Sequence, residues 1–352
     1  MKLFRTWPAR KASFCLIALT VCYGGLLAAI TILNGLGADR WWFGALNLYL
    51  PQAMWLAPGA VLACLALKAM PRWCWLPGLC ILWVLGPIMG FCWPLHSAPA
   101  QTGGISIRVM TCNAKYGKRD VSALIDDMLW YKPDLVFLQD ASGAMNGPLK
   151  DFFRGWSLYS HGQYVTASRL PLSRPEVLST SFPGEKQDIL RCRLTAGGRE
   201  ISLYNVHFQT PREGLNAFRG VRRRPRLLPA AVEKLENNVQ ARFIQAGMVR
   251  EYLRQDSASV ILAGDLNSPD SSHVMSMLRK SGLHDAFAES GTGYGYTYGH
   301  FLLRNRLPWL RVSWMRIDHI MSSRGVTSKR SWTGTGRASD HRPVLSDMVI
   351  GL

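Results

Sequence analysis

The chain has 352 residues, of which 48% are apolar, and a formal net charge of +18. This apolar content excludes a disordered chain, and eight cysteines over this length are too few for a disulfide-built scaffold. At about 150 residues per domain, the length predicts two domains, or one large domain with an appendage. The charge is unevenly distributed, because the first 96 residues carry only seven Lys or Arg and one Asp.

Three uncharged apolar runs occupy the first part of the chain: Phe14–Leu36, Phe43–Leu67 and Trp73–Leu95. Each is longer than the roughly 20 residues with which a helix crosses the ~30 Å hydrocarbon core of a bilayer. We therefore predict that residues 1–96 form a membrane anchor of three transmembrane helices. Two other interpretations stay open at this point: the first run could be a cleaved signal peptide, or the runs could be buried helices of a soluble protein.

Basic residues are concentrated at two places along these runs. Lys2, Arg5, Arg10 and Lys11 precede the first run, and Lys68 and Arg72 flank the turn between the second and third runs. The positive-inside rule then places the N-terminus and that turn in the cytoplasm. Three spans would leave residues 97–352 on the other side, with 97–104 as a linker. The sequence thus predicts a multi-pass protein of the cell inner membrane whose polar part is periplasmic, or otherwise extracytoplasmic.

The polar part alternates predicted strands with predicted helices. A strand at Ile105–Cys112, a helix at Val121–Tyr131 with one apolar face, and a buried strand at Asp134–Leu138 come first. A long helix is predicted from about Pro229 to Arg254. The remaining predicted strands are Ile189–Thr195, Ile201–Phe208, Ser259–Ala263, Arg316–Met321 and Val344–Ile350. This order predicts an α/β domain in which a sheet core of two layers is covered by helices.

Polar residues able to bind metal ions or transfer protons fall at or near the ends of these strands. In chain order they are Asn113, Asp140, His207, Asp265, Asn267, Asp318, Asp340 and His341. Taken singly, each is more often a turn, cap or packing residue than a catalytic one. The ordered set, and above all the segments AGDLN (263–267), RIDHI (316–320) and SDHRPV (339–344), resembles the endonuclease/exonuclease/phosphatase superfamily over about residues 105–352. That superfamily includes deoxyribonuclease I, abasic-site endonucleases, neutral sphingomyelinases and inositol polyphosphate 5-phosphatases.

The resemblance implies a four-layer α/β sandwich over residues 105–352, made of two packed mixed β-sheets flanked by helices. It also implies roles for the site residues: His207, Asp265, Asn267, Asp318 and His341 would be catalytic, and Asn113, Asp140 and Asp340 would hold a metal ion. Asp318 would fix the tautomer of His341 and hold it charged, while Asn267 and His207 would bind the phosphoryl oxygens. Either Asp265 or His341 would position and deprotonate the attacking water.

The oxygen-rich ligand set suits a hard divalent cation, so Mg²⁺ or Mn²⁺ is the expected cofactor. Asp140 departs from the family pattern, in which a glutamate usually stands at this place. The missing methylene draws the carboxylate back by about 1.5 Å. The backbone could compensate, a water could bridge the gap, the larger Mn²⁺ could suit the site better, or the site could be inactive. Arg242 and Gln245 resemble an Arg-x-x-Gln pair of the family and are interpreted as structural.

An arginine-rich segment follows His207 and supplies Arg212, Arg222 and Arg223 as candidate substrate-binding residues. It is either a solvated loop or an arm that binds anions beside the site. On an anchored protein anionic headgroups are the nearest polyanion, although nucleic acid would be attracted as well. A second segment, Phe301–Met315, mixes arginine with Trp and Leu, and is either an ordinary strand and loop or a wedge that enters lipid.

These observations predict a membrane-anchored, divalent-metal-dependent phosphoesterase that hydrolyses a phosphodiester, either phospholipid-type or nucleic acid. The alternative is a catalytically inactive, membrane-tethered module of the same fold that binds phosphate or other anions. Besides the substrate and the bilayer, the sequence identifies no protein partner.

Overall fold

A computed structural model describes residues 9–94, 104–115, 120–299 and 312–351 of the chain. Apart from Gly104, the predicted linker 97–104 lies outside the described residues, and so do residues 301–311 of the segment rich in Arg and Trp. Within the described ranges, an apolar helical part comes first and an α/β domain follows it.

The apolar part contains the helices α1 (Ala9–Gly35), α2 (Trp42–Tyr49), α3 (Leu56–Ala69) and α4 (Trp75–Trp83). The later helices are α5 (Val121–Tyr131), α6 (Pro148–Phe152), α7 (Arg212–Ala217), α8 (Leu228–Gln255), α9 (His273–Lys280) and α10 (Ala286–Ser290). The strands are β1 (Ile105–Asn113), β2 (Leu135–Gln139), β3 (Ser157–His161), β4 (Tyr164–Ser168), β5 (Leu172–Ser179), β6 (Asp188–Ala196), β7 (Arg199–His207), β8 (Ser259–Asp265), β9 (His284–Asp285), β10 (Asp318–Ser322), β11 (Val326–Thr333) and β12 (Val344–Ile350).

The strands form two six-stranded sheets of mixed direction. The first sheet has the order β11-β12-β1-β2-β4-β3, and the second has the order β5-β6-β7-β8-β10-β9. A parallel pair lies at the centre of each sheet: β1 with β2, and β7 with β8. Parallel strands need a long crossover, which α5 provides in the first sheet and α8 in the second. The carboxyl ends of each pair therefore meet at one edge of their sheet.

Three apolar clusters hold these layers together. The central cluster lies between the sheets and takes side chains from both, for example Phe137 from β2 and Leu203 from β7. A second cluster packs α5 and α6 on the outer face of the first sheet. A third packs α8 and α9 on the outer face of the second sheet. The order of layers is helix, sheet, sheet, helix, which confirms the expected α/β sandwich.

The second predicted transmembrane run is wrong as a single helix. Two helical stretches of the described chain are long and apolar enough to cross a membrane, Lys11–Gly35 and Gln52–Ala69. The run Phe43–Leu67 is divided at Pro51, because proline lacks the N–H that would continue the helix. Its first part forms α2, which ends at Tyr49, and only its second part belongs to a candidate span.

The third predicted run, Trp73–Leu95, is wrong as a transmembrane helix by the same measure. Its helix α4 continues into a π-helical turn at Val84–Ile88, which contains Pro87. The stretch from residue 75 to 88 rises about 21 Å at 1.5 Å per residue, which is less than a ~30 Å core. It packs against α1 and α3 and brings the chain back to the α/β domain, where Cys92 N donates to the carbonyl oxygen of Gly293 at 2.8 Å.

Candidate active site

The carboxyl ends of the central strands surround a cavity of about 520 Å³. Asn113 ends β1, Asp140 follows β2, His207 ends β7 and Asp265 ends β8. The register of the second sheet sets His207 directly beside Asp265. All four line the cavity, together with His341 from the loop before β12. The two parallel pairs thus bring to one place side chains that are distant in sequence.

His341 lies between two buried carboxylates. Its Nδ1 is 2.9 Å from Oδ2 of Asp318, and its Nε2 is 3.7 Å from Oδ2 of Asp265. Asp318 is fully buried beside the ring and is not among the described residues that line the cavity. Burial alone would lower the pKa of His341, but the carboxylates of Asp318 and Asp265 outweigh it and raise the pKa to about 9. The ring is therefore held as an imidazolium at neutral pH.

Asp265 is the acid that joins the two sheets at the cavity. Its Oδ2 accepts a hydrogen bond from Nδ2 of Asn113 at 3.0 Å, and its Oδ1 accepts one from the backbone N–H of Asn267 at 2.9 Å. His207 Nε2 lies 3.6 Å from the same Oδ2. Burial raises the pKa of Asp265 against the lowering effect of the charges on His341 and His207. A carboxyl group of raised pKa that faces a cavity is suited to accept a proton.

His207 and Asn267 are both held by other protein atoms. His207 Nδ1 is 2.6 Å from Oε1 of Gln163, an arrangement in which Nδ1 donates and Nε2 points to the Asp265 side. Asn267 Nδ2 donates to the carbonyl oxygen of Phe208 at 2.9 Å and keeps a second N–H. Both side chains line the cavity, so the Asn267 amide retains a donor for an anionic oxygen, and the His207 ring lies beside the same space.

Asp140 has the surroundings of a metal ligand. It adopts φ +49°, a region that Asp tolerates better than most residues. Its side chain is 9% exposed, and the His207 Nδ1 lies 3.7 Å from its Oδ1. Its carboxylate makes no hydrogen bond to any other described residue and lines the cavity. A carboxylate that faces the cavity without a protein donor is suited to bind a hard divalent ion.

The other two predicted metal ligands, Asn113 and Asp340, differ in their position relative to the cavity. Asn113 lines the same cavity as Asp140, and its Oδ1 accepts from the backbone N–H of Lys115 at 3.0 Å, which leaves that oxygen a second lone pair. Asp340 is not among the described residues that line the cavity, and its Oδ2 is 3.6 Å from Nζ of Lys115. The structure therefore groups Asn113 with Asp140 and places Asp340 against a lysine.

Two groups of described residues bring their ligand atoms within 4.8 Å of one another, as a metal site would require. The first is Asp265, Asp318 and His341 at the cavity, and the second is Asp270, Asp285 and His319, which already holds a cation. Within the second group lies Arg316, which donates to Asp285 at 2.6 Å and to Asp270 at 2.9 Å. His319 Nδ1 is 2.8 Å from the other oxygen of Asp285. The guanidinium supplies the positive charge here, so this is a buried ion network and not a metal centre.

The arginine-rich segment reaches the cavity at one end only. Arg212, at the start of α7, lines the cavity, whereas Arg222 and Arg223 are exposed and do not line it. Arg219, from the same segment, lines the cavity as well. Sequence reasoning missed several other residues that line it, among them Tyr49, Lys115, Gln163 and Tyr298. These four belong to no motif that could have marked them.

Similar solved structures share the fold at low sequence identity. An endonuclease/exonuclease/phosphatase family protein from Bacteroides thetaiotaomicron is 16% identical, with a TM-score of 0.52 over 71% of this chain and 99% of that chain. TDP2 from D. rerio in complex with a single-strand DNA product is 18% identical, with a TM-score of 0.52 over 69% and 98%. A mannosyl-6-phosphatase from Bacteroides thetaiotaomicron is 15% identical, with a TM-score of 0.51 over 69% and 99%. No curated protein matches the chain.

A sequence model of a known protein family matches most of the α/β domain. It matches residues 110–341, from within β1 to His341, and so spans more than half of the chain and every strand-end residue of the cavity. Together with the two packed mixed sheets, this match identifies the chain as a member of the Endonuclease/Exonuclease/phosphatase family.

Proposed function

We propose that the protein is a divalent-metal-dependent phosphoesterase that hydrolyses phosphodiesters. The observation that carries this proposal is the buried series Asp318–His341–Asp265, which ends at a cavity that also contains Asp140. Members of this family hydrolyse phosphoester bonds, and two neighbours of the same fold bear the names of a phosphatase and of a protein bound to a DNA product. No feature of the described residues favours a module that only binds anions.

Each side chain of the site is proposed to have a separate role in hydrolysis. Asp265 accepts the proton of the attacking water, because it lines the cavity beside His341 and its burial favours the protonated form, whereas Asp140 is assigned to the metal ion. His341 remains charged between Asp318 and Asp265 and stabilises negative charge on the phosphoryl group. His207 and Asn267 supply hydrogen bonds to the phosphoryl oxygens. Asp318 acts by holding the ring of His341 in place.

Asp140 with Asn113 would hold the metal ion. Mg²⁺ or Mn²⁺ at that place would neutralise charge on the phosphoryl oxygens. Arg212 and Arg219 on the cavity wall add positive charge that would attract an anionic substrate.

The protein is proposed to be anchored in the cell inner membrane, with its catalytic domain outside the cytoplasm. Helix α1 leaves Phe14 and Ile32 73% and 64% exposed, which suits a lipid environment better than the core of a soluble protein. Lys11 lies at the start of α1 and Lys68 in the last turn of α3, whereas the α/β domain contacts the opposite end of α1. The positive-inside rule puts the basic end in the cytoplasm, and the helical stretch 75–88, which is too short to count as a candidate span, would lead the chain from that end back to the side of the α/β domain.

The test of this function is hydrolysis of bis-p-nitrophenyl phosphate and of p-nitrophenyl phosphate by the purified full chain. Turnover of the diester should require added Mg²⁺ or Mn²⁺ and should stop on chelation. Turnover of neither ester with either metal, while the protein still binds phosphate, would instead identify an inactive anion-binding module.

A further inference from the structure

The connection between the two candidate membrane helices is built into the catalytic cavity. Helix α2 lies in this connection, and its last residue, Tyr49, is buried and lines the cavity. The hydroxyl of Tyr49 donates to the backbone carbonyl oxygen of Asn267 at 2.8 Å. Nε1 of Trp314 donates to the carbonyl oxygen of Tyr49 at 3.3 Å. Tyr49, a residue of the anchor, therefore forms part of the cavity wall beside Asn267, which is predicted to bind the phosphoryl oxygens.

The position of this connection is fixed along its whole length. Ala38 N donates to the carbonyl oxygen of Ser271 at 3.2 Å, and Asp39 accepts a hydrogen bond from the backbone of His273 at 2.5 Å. Gly37 has φ +86°, and a side chain there would come within 3.0 Å of the His273 backbone. Trp42 stacks on Phe218 with ring centroids 6.3 Å apart. Through these contacts the connection packs directly on the α/β domain.

A continuous cluster of packed apolar side chains joins the anchor to the cavity wall. Leu33 of α1 packs against the cluster that contains Leu48 and Tyr49 of α2 and Met315 from the cavity wall. Trp314, which lines the cavity, packs on the same cluster. The same cavity is lined by the acids and imidazoles of the strand ends. A ligand that fills it therefore meets charged groups and, beside them, an apolar wall that is continuous with α1.

The basic segment lies beside the same connection. Phe218, which stacks on Trp42, is followed by Arg219 on the cavity wall and by a series of exposed arginines: Arg222, Arg223, Arg224 and Arg226. Since Trp42 belongs to the connection between two candidate spans, these arginines would lie near the membrane surface once both helices are inserted. Basic residues near an anionic surface are attracted to it.

We propose that the cavity takes the phosphorylated headgroup of an amphiphile held in the bilayer, with the apolar part of that molecule along the wall formed by Tyr49 and Trp314. This inference rests on the proposed function. In the reaction a water oxygen bonds to phosphorus, and the P–O bond to the leaving alcohol breaks. The water proton passes to Asp265 and then to solvent, and the departing oxygen takes a proton from solvent water. The products are a phosphomonoester and an alcohol.

The experiment compares three substrates of the full chain reconstituted in vesicles of equal parts phosphatidylcholine and phosphatidylglycerol. The lipids themselves are the first substrate, a single-stranded oligonucleotide is the second, and bis-p-nitrophenyl phosphate is the third. Lipid hydrolysis, followed by mass spectrometry of the products, should exceed oligonucleotide hydrolysis at equal phosphodiester concentration. Trp314→Gln should lower the ratio of lipid to bis-p-nitrophenyl phosphate turnover by about tenfold, because the aromatic wall becomes polar. The matched control is Trp73→Gln, an exposed tryptophan in the turn before α4, which should leave that ratio unchanged.

The outcomes separate this inference from the function on which it rests. Hydrolysis of bis-p-nitrophenyl phosphate and the oligonucleotide without lipid hydrolysis would overturn the lipid substrate and leave the phosphoesterase standing. An equal ratio for Trp314→Gln and the wild type would also overturn it, provided that circular dichroism shows a folded variant. If no substrate is hydrolysed with either metal, the proposed function fails and the inference fails with it.

Discussion

The two acids on either side of His341 have different surroundings and therefore different chemistry. Asp318 is buried away from the cavity and contacts Nδ1 of the ring, so it orients the imidazole. Asp265 lines the cavity and is held by donors from Asn113 and Asn267. Sequence motifs marked both acids, but only the fold shows which of them can reach a bound water. Tyr49 belongs to no such motif, and its place at the site depends on how the anchor docks.

Asp140 gives the first prediction at this scale. Asp140→Ala should weaken activation by Mg²⁺ and Mn²⁺ sharply, because it removes an anionic ligand from a site with few of them. Asp140→Glu should retain activity or shift the metal preference toward Mg²⁺, since the longer side chain reaches further. The measurement is activity against metal concentration for the wild type and both variants. An unchanged activation curve for Asp140→Ala would show that this carboxylate is no ligand.

Tyr49→Phe tests whether the anchor positions a catalytic residue. The variant keeps the aromatic wall and removes only the hydrogen bond to the carbonyl oxygen of Asn267. The carbonyl is then buried without this partner, and we expect kcat on bis-p-nitrophenyl phosphate to fall by up to about tenfold. The metal concentration for half-activation should stay the same, because Asp140 is untouched. Wild-type kcat in Tyr49→Phe would mean that the hydroxyl has no part in positioning Asn267.

At the scale of elements, the central strands and long helices follow from the sequence, and most edge strands do not. The predicted helix Val121–Tyr131 and strand Val344–Ile350 have the bounds of α5 and β12. The strands β3, β5, β9 and β11 were not predicted, and each lies at the edge of a sheet. Edge strands are partly exposed and lack a clear apolar pattern, and β5 also contains Pro175, which suits an edge. β4, fully buried, was missed because its short YVTAS run has no distinct periodicity.

The ion network around Arg316 makes a prediction about stability. Burial alone would raise the pKa of Asp285, but the charge of Arg316 and the hydrogen bond from His319 hold it well below its ordinary value. A carboxyl group with a lowered pKa stabilises the fold above its unfolded pKa, near 4, and this stabilisation is lost as the pH falls below that value. Asp285→Asn keeps an acceptor for the cap of α10 and removes the charge.

Asp285→Asn should lower the free energy of unfolding by about 3 kcal/mol or more at pH 7, because a buried pair loses one partner. The difference from the wild type should shrink between pH 5 and pH 2. The matched control is Asp347→Asn, which breaks a half-exposed pair with Arg108 and should cost about 1 kcal/mol or less. The measurement is unfolding followed by tryptophan fluorescence across that pH range. Equal stability of Asp285→Asn and the wild type at pH 7 would show that the network is not stabilising.

At the scale of the whole molecule, the two sheets bring the strand-end residues together, and the anchor adds Tyr49 to the wall of the cavity. The α/β sandwich and its strand-end residues could be predicted because motifs and periodicity reflect local structure. The docking of residues 37–50 could not, since it depends on contacts between two distant parts of the chain. The number of spans was overestimated for a related reason: apolar composition does not show that the helix breaks before Pro51, or that α4 is short and gives way to a π-helical turn.

The proposed membrane topology predicts that the α/β domain lies outside the cytoplasm. An alkaline phosphatase fused after Leu352 should be active in bacterial cells, because the α/β domain contacts the end of α1 that lies away from Lys11. A cytoplasmic reporter at the same place should be inactive. Activity of the cytoplasmic reporter alone would place the catalytic domain on the other side of the membrane.

The most direct test of the central claim is the metal-dependent turnover of bis-p-nitrophenyl phosphate by the wild type and by Asp265→Asn. Asn keeps the shape of the side chain but cannot accept the proton of the attacking water. The account predicts that the wild type turns over only with Mg²⁺ or Mn²⁺, and that Asp265→Asn loses about 100-fold or more while its circular dichroism stays unchanged. Turnover by Asp265→Asn at the wild-type rate, or wild-type turnover that persists in a chelator, would contradict it.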